Sequence, residues 1–191
     1  EVKMIDMVTA YSTFANHGIT TPVRSIPNIS RNDGKQISTP LCDSKTNSNL
    51  DGSSNSSECN PHQNISPTTA YFISDILSDN QARSSAFGFN SVLNIPNAKV
   101  AVKTGTSNDL KDNWTFGYTP TLLVGTWVGN NNNQPMANIA SGITGASPIW
   151  ANIMKHLLTV YPDQAQAGFA MPDNLVKIAT CSLTGSLPCD G

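Results

Sequence analysis

The sequence lacks the features that mark membrane-spanning and nucleic-acid-binding segments. Its 191 residues contain no apolar run long enough for a membrane-spanning helix, which takes about 18 residues or more. Charged residues make up only 13% of the chain, the net charge is -2, and Lys and Arg form no cluster. We therefore expect neither a nucleic-acid partner nor a membrane contact from this segment. The polar but weakly charged composition favours an extracytoplasmic protein.

Cysteines are few, and their spacing excludes the common short metal and redox motifs. They fall into two local pairs, Cys42 with Cys59 and Cys181 with Cys189, and neither pair has the C-x-x-C spacing. Two local disulfides are predicted, the second of them stapling the C-terminal tail, and four unpaired thiols are the alternative. The partial ligand pattern from Cys59 to His62 has no second half, so no metal site is expected.

Helical spacing and turn residues divide the N-terminal half of the chain into four segments. Residues 2–16 carry apolar side chains at helical spacing, and short β-prone runs flank a strong Asn-Asp-Gly turn at residues 32–34. Residues 42–64 are rich in Ser and Asn, which predicts a surface insertion. A Ser-Pro start at residues 66–67 opens a helix that ends near Asp79. The spacing in this helix turns four side chains inward: Thr69, Ile73, Ile76 and Leu77.

The C-terminal half reads as a β-meander followed by a helix and a tail. Residues 98–106 and 121–129 are rich in β-prone side chains, and the run WTFGY lies between them with turns on either side. A Ser-Pro pair at residues 147–148 opens the next helix. The pattern predicts an α+β fold, an antiparallel sheet with packed helices. We assign residues 1–160 to this domain and residues 161–191 to a tail.

The run KTGT at the end of the first predicted strand brings together groups that can hold an anionic peptide. Lys103 supplies a cation, Thr104 and Thr106 supply hydroxyl groups, and Gly105 has no Cβ, so that a ligand can lie against the strand. A strand with these groups suits a peptide that docks beside it as an extra strand and ends in a carboxylate. Four residues alone, however, favour a strand that simply runs into a turn, and the longer run is needed to support a site.

The longer run KTGTSNDLKDNWTFGYTP resembles the third sequence box, and the strand pair after it, in the transpeptidase domain of penicillin-binding proteins. The class A, bifunctional type is the most similar. Three further segments resemble that family in the same order: VTAYSTFANHGITTPVRSI, SPTTAYFISDIL and ASPIWANIMKHLL. The resemblance implies that the α+β fold is part of a penicillin-binding or serine β-lactamase-like transpeptidase domain.

Two of the family's three boxes are missing from these residues. No Lys has a Ser three positions before it, so the Ser-x-x-Lys box that carries the nucleophile is absent. The run Ser78-Asp79-Asn80 spells the second box, Ser-x-Asn, but it follows the helix at residues 2–16, whereas the family's box precedes the equivalent helix. We interpret it as a helix end. The chain then resembles the C-terminal part of a transpeptidase domain, and the upstream half of that domain is a partner that it requires.

The resemblance also implies roles for the third box. Lys103 would face the second-box serine and attract the substrate carboxylate, Thr104 and Thr106 would bind that carboxylate, Gly105 would leave room for the peptide, and the Thr106 N–H would form half of the oxyanion hole. The implied reaction is serine acyl transfer at the D-Ala-D-Ala end of a peptidoglycan stem peptide, without a cofactor or metal. β-Lactam antibiotics would be further ligands. The protein would be extracytoplasmic, anchored through an upstream segment, and this chain would be inactive alone.

Two other functions are compatible with the same residues. One is a secreted binding or structural module that kept the scaffold without the chemistry. The other is a serine β-lactamase or D,D-carboxypeptidase, which uses water as the acceptor; the run NDLKDNWTFGYTP disfavours it. A Ser-x-x-Lys box followed by a Ser-x-Asn box upstream of Glu1 would indicate a transpeptidase. Their absence there would favour the binding or structural module.

Overall fold

The computed structural model describes residues 2–23, 29–37, 61–136, 143–181 and 184–187. Within these ranges the elements follow in this order: α1 (Met4–Ala15), β1 (Ile19–Thr20), β2 (Ile29–Ser30), β3 (Gln36–Ile37), β4 (His62–Gln63), α2 (Pro67–Ser78), α3 (Asn80–Phe87), β5 (Ala101–Thr106), a 3-10 turn (Asn108–Leu110), β6 (Asp112–Tyr118), β7 (Leu123–Gly129), α4 (Ala146–Val160) and α5 (Pro162–Gln166). The helices in these ranges are too short or too polar to cross a bilayer.

The central sheet is an antiparallel meander with helices on both faces. Its strand order is β5-β6-β7, which confirms the predicted strands and the α+β class. On one face α1 packs over β6, where the rings of Tyr11 and Phe116 stack with centroids 4.9 Å apart. On the other face α4 inserts the fully buried Trp150 and Met154. The main core lies on this second face: Leu93, Ile95, Val100, Val102, Val124, Trp150, Ala151, Met154 and Leu158.

The helix α2 begins where the sequence predicts, but its buried face differs from the predicted one. The Ser66 side chain accepts a hydrogen bond from the Thr69 N–H at 3.1 Å, and Pro67 occupies the first turn. Ala70 and Ser74 are buried, whereas Thr69 is exposed and Ile76 is 66% exposed. The prediction for these two side chains was wrong because α2 packs on both α1 and β5 and buries Ala70, Tyr71 and Ser74, a face that the hydrophobic spacing does not reveal.

The helix α4 starts one residue before the predicted Ser-Pro pair. Gly145 is the N-cap, and Ser147 is fully buried in the first turn, where its hydroxyl group lies 2.9 Å from that of Thr115 on β6. Ser147 therefore ties the helix to the sheet and does not cap it. Along α4 the residues Trp150 and Met154 are buried, while the neighbouring Ile149 is exposed.

The remaining comparisons with the sequence predictions concern the hairpin, the insertion, α3 and the cysteines. The Asn-Asp-Gly turn joins β2 to β3 as predicted. The end of the predicted insertion forms β4, which pairs with β1, and residues 38–60 lie outside the described ranges. The helix α3 was not predicted. Cys42, Cys59 and Cys189 are not among the described residues, so both disulfides remain predictions.

Candidate functional site

The strand β5 has one open edge in the described part of the chain, because it pairs there only with β6. At its C-terminal end the Ser107 N–H donates a hydrogen bond to the Asp112 carbonyl at 2.9 Å, towards β6. Backbone groups alternate in direction along an antiparallel strand, so the N–H groups of Thr104 and Thr106 point to the open edge. The run KTGT therefore presents two peptide donors to any extended ligand placed beside β5.

The side chains of this run divide between the two faces of the sheet. Lys103 and Gly105 lie opposite Phe116 and Trp114 on β6 and share their face, towards α1. Thr104 and Thr106 alternate with them and lie on the α4 side. The predicted site residues are thus brought together along one open edge, from both faces of the sheet.

Lys103 forms no ion pair with a carboxylate of the described residues. Its side chain is exposed, and its ammonium group contacts the carbonyl oxygen of its neighbour Thr104. In the described ranges the side-chain ion pairs are Lys99–Asp75, at 2.8 Å, and Lys111–Asp109, at 3.9 Å, and neither involves Lys103. An anionic ligand at the β5 edge would therefore meet an available cation.

Gly105 leaves an open surface on the α1 side of β5. A Cβ atom built at this position would come no closer than 3.9 Å to another heavy atom, the Cβ of Trp114. By contrast, a Cβ built on Gly117 would lie 2.2 Å from the buried indole of Trp150. The packing of the described residues therefore requires a glycine at position 117, but it would accept a side chain at position 105.

A buried asparagine fixes Thr106 and was not identified from the sequence. Asn113 is completely buried; its amide nitrogen donates to the Thr106 hydroxyl at 3.2 Å, and its amide oxygen accepts from the Ala146 N–H at 2.6 Å. This side chain connects the end of β5 to the start of α4. A buried Asn that satisfies a helix-end N–H is a structural device, and only its place opposite Thr106 in the strand register could have indicated it.

Asp112 fixes the turn that follows β5. One carboxylate oxygen accepts from the Ser107 hydroxyl and the other from the Trp127 indole N–H, both at 2.9 Å. The Ser107 hydroxyl also accepts from the Asp112 N–H at 2.8 Å. Asn108 and Asp109, by contrast, are exposed in the adjoining 3-10 turn. Of these acidic and amide residues, Asp112 is therefore the one held in a fixed position.

Two clefts meet at Lys103 and Thr104. The α2 cleft, of about 270 Å³, lies between β5 and the α2–α3 pair and is lined by Ile76, Leu77, Asp79, Ala82, Arg83, Phe87, Leu93, Val102, Lys103 and Thr104. The α1 cleft, of about 230 Å³, is lined by Val2, Met7, Tyr11, Lys103, Thr104, Gly105, Trp114 and Phe116. Both are largely apolar, and the KTGT run supplies polar groups to each, together with Asp79 and Arg83 in the α2 cleft.

A larger cleft of about 630 Å³ adjoins the α1 cleft, and we call it the tryptophan cleft. It is lined by Val2, Met4, Ser107, Asp112, Trp114, Trp127, Asn130, Asn131 and Asn133. Trp114 and Val2 line both this cleft and the α1 cleft. The two clefts therefore form one continuous surface over the α1 side of the sheet.

Burial shifts three titrating groups near the helices α1 to α3, and it raises the pKa of Tyr11, which lines the α1 cleft. Desolvation lowers the pKa of Arg83, and the nearby Asp79 carboxylate opposes this shift. Burial raises the pKa of Tyr118 to about 12, and the hydrogen bond to Ser74, at 3.0 Å, opposes that shift. Tyr118 lies beneath α1 and α2, where it joins both helices to β6.

The run Ser78-Asp79-Asn80 joins α2 to α3. Asp79 caps α3, because its carboxylate accepts from the N–H groups of Gln81 at 2.8 Å and Ala82 at 3.0 Å. Ser78 donates to the Asp75 carbonyl at 3.0 Å. These bonds support the interpretation of the run as a helix end. The cap signal in this run, an Asp before a helix-compatible stretch, could have revealed α3.

Relatives of this chain are penicillin-binding proteins. A protein from Rickettsia typhi named penicillin-binding protein 1A is 38% identical over 92 residues, which cover 48% of this chain and 11% of that protein. A penicillin-binding protein 1A from Clostridium botulinum is 29% identical over 183 residues, which cover 95% of this chain and 19% of that protein. The chain thus spans about a fifth or less of the length of these relatives.

Solved structures share the fold. The crystal structure of penicillin-binding protein 1A from Haemophilus influenzae matches all of this chain with a TM-score of 0.76 at 22% identity, over 31% of its own length. PonA1 from Mycobacterium tuberculosis in complex with penicillin V matches 89% of this chain with a TM-score of 0.57, also at 22% identity, over 40% of its own length.

The family comparison covers most of the chain, including every element from α1 to β7 and most of α4. The penicillin binding protein transpeptidase domain matches residues 1–155. It takes in the KTGT edge strand, the fixed turn after it and the helices on both faces of the sheet. This chain belongs to the penicillin-binding protein transpeptidase family.

Proposed function

We propose that this chain supplies the KTGT strand, β5, to the active site of a serine D,D-transpeptidase. That enzyme would cross-link peptidoglycan stem peptides and be acylated by β-lactams. The observation that carries the proposal is the open edge of β5, where outward N–H groups lie beside an exposed cation, Lys103. A peptide that pairs with this edge would be aligned by main-chain hydrogen bonds. Its terminal carboxylate would be attracted by Lys103 and bound by the hydroxyl groups of Thr104 and Thr106.

The reaction needs a nucleophile that these 191 residues do not supply. A serine hydroxyl from the upstream part of the domain attacks the carbonyl carbon between the two D-Ala residues. The hydroxyl proton passes through a neighbouring base to the departing D-Ala amine, and an acyl-enzyme ester forms. An amine from a second strand then attacks that ester, which frees the serine and forms the new peptide bond.

The outward N–H of Thr106 would donate to the oxyanion that develops at the attacked carbonyl. Asn113 holds the Thr106 side chain, so the end of β5 keeps its position as the charge develops. Loss of one donor of this kind typically reduces the rate about 100- to 1,000-fold. Gly105 leaves the space over the strand in which the peptide lies.

The cellular location of the enzyme follows from its substrate. Peptidoglycan is assembled outside the cytoplasm, so the site would be extracytoplasmic and held there by an upstream anchor. We propose no metal or organic cofactor, because serine acyl transfer requires neither. The chain alone would be inactive.

A lysine exchange tests the proposal with a matched control. In a chain extended upstream to include the nucleophile, Lys103→Met should slow acylation by a fluorescent penicillin about 100-fold or more, since the carboxylate of the drug loses its cation. Lys99→Met removes an exposed lysine four positions away, whose ion pair with Asp75 contributes at most about 1 kcal/mol to stability. Equal acylation rates for the two variants would refute the role of Lys103.

A further inference from the structure

The tryptophan cleft combines two aromatic rings with polar groups of low charge. Trp114 and Trp127 are both partly buried, and their ring centroids lie 6.2 Å apart with planes inclined at 52°. The indole N–H of Trp127 is engaged by Asp112, which fixes the ring from one side. The cleft therefore offers an angled, preorganised aromatic surface.

The polar groups around these rings favour a neutral ligand that is rich in hydroxyl and amide groups. No lysine or arginine lines the cleft among the described residues, and both oxygens of the Asp112 carboxylate already accept hydrogen bonds. The Ser107 hydroxyl is engaged with Asp112, and the other polar lining comes from the loop after β7, where Asn131 is exposed and has no side-chain hydrogen bond within the described ranges. An amide both donates and accepts, as hydroxyl and N-acetyl groups require. Sugar rings meet this description, since they present apolar faces for stacking and polar edges for hydrogen bonding.

The cleft lies within reach of a peptide held at β5. The register places Gly105 opposite Trp114, and Trp114 opposite Trp127, all on the α1 face of the sheet. Strands in a sheet are about 4.8 Å apart, so the backbone at Trp127 is roughly 10 Å from that at Gly105. An extended peptide of four or five residues spans up to about 13–18 Å. A stem peptide with one end at β5 can therefore place the sugar at its other end over the tryptophans.

We propose that the tryptophan cleft binds an N-acetylated sugar of the glycan strand that carries the stem peptide. The proposal rests on the proposed function for the identity of the ligand, while the site itself rests on the rings, the amides and their position. It assigns to Trp114 and Trp127 a role in substrate recognition that is separate from the reacting groups on β5.

Intrinsic fluorescence tests the proposal directly, because Trp114 and Trp127 lie in the cleft and the third tryptophan, Trp150, is completely buried. The probe is the tetramer of N-acetylglucosamine, added to the 191-residue chain, with maltotetraose as the comparison sugar. We expect a saturable change in emission with the N-acetylated tetramer and protection of the tryptophans from iodide quenching. Maltotetraose should bind more weakly, because it lacks the N-acetyl groups.

Two variants locate the binding. Trp127→Leu should abolish the saturable change, and Asn131→Ala should weaken binding about fivefold, the usual effect of one lost hydrogen bond. Asn90→Ala removes an exposed asparagine in the turn after α3 and should bind as the parent chain does. If Trp127→Leu does not fold, as judged by circular dichroism, Asn131→Ala against Asn90→Ala decides the test.

The outcomes separate this inference from the proposed function. A folded chain that shows no emission change with the tetramer overturns the inference, and so does equal binding by the Asn131 and Asn90 variants. Penicillin acylation of the upstream-extended chain involves no sugar and tests the proposed function alone. Acylation without sugar binding refutes only the inference, whereas sugar binding without acylation supports the sugar site and refutes the transpeptidase.

Discussion

The substitution Gly105→Ala should affect the rate of acylation without lowering the free energy of unfolding. The new Cβ would have its nearest neighbour at 3.9 Å, an ordinary contact, so the fold accepts it. Replacing a strand glycine with alanine also reduces the entropy of the unfolded chain, which contributes about 0.5–1 kcal/mol. We therefore expect the free energy of unfolding to stay equal or to rise slightly.

The same methyl group should impair catalysis. It enters the α1 cleft between Lys103 and Trp114, where the proposed peptide lies. A displacement of the bound peptide by about 1 Å can cost about 100-fold in rate. The assay is the rate of acylation by fluorescent penicillin in an upstream-extended chain, measured beside urea denaturation of the same protein.

Gly117→Ala is the matched control in the next strand. Its Cβ would lie 2.2 Å from the indole of the buried Trp150, so it should destabilise the fold by about 1–3 kcal/mol or more. Destabilisation by Gly105→Ala as strong as that by Gly117→Ala would refute this prediction. A folded Gly105→Ala variant that is acylated at the parent rate would refute it equally.

Three further predictions concern the residues that support the sheet. Unfolded tyrosine has a pKa near 10 and Tyr118 has a pKa of about 12, so between these values the folded state holds a proton that the unfolded state has lost. The free energy of unfolding should therefore fall by about 2–3 kcal/mol as the pH rises through this window. Denaturation at pH 9 to 12 should show a smaller fall for Tyr118→Phe combined with Ser74→Ala, and an unchanged slope would contradict the assignment. Asn113→Ala leaves the Ala146 N–H without its acceptor in a buried site and should cost about 1–3 kcal/mol in urea denaturation; a neutral effect would show that the hydrogen bond this N–H donates to Asn113 adds no stability. Asp79→Ala removes the cap of α3 and should cost about 1 kcal/mol, whereas Asp79→Asn should retain most of it; equal losses would refute the capping role.

Much of the fold follows from local signals in the sequence. The turn residues and β-prone runs predict the meander from β5 to β7, and Ser66 with Pro67 predicts the start of α2, because these signals act within a few residues. The inward prediction for Ile76 fails because the face that a helix buries depends on its partners, and α2 buries Ala70, Tyr71 and Ser74 where it packs on α1 and β5. The helix α3 was missed because it is short and has little apolar periodicity, so its cap alone indicated it.

The candidate site also contains some residues that the sequence reveals and others that it does not. The KTGT run can be found from the sequence, since its residue types carry the chemistry. The supporting residues cannot be found so readily, because Asn113 and Asp112 act through partners 33 and 15 residues away along the chain. Their roles depend on strand register and on the position of α4, which local patterns do not specify.

Covalent labelling by a fluorescent penicillin is the most direct test of the proposed role of β5. The proposal predicts that a chain extended upstream, with its serine in place, forms a stable adduct, and that the 191-residue chain alone forms none. Stable labelling of the 191-residue chain, or a folded extended chain that stays unlabelled, would contradict it.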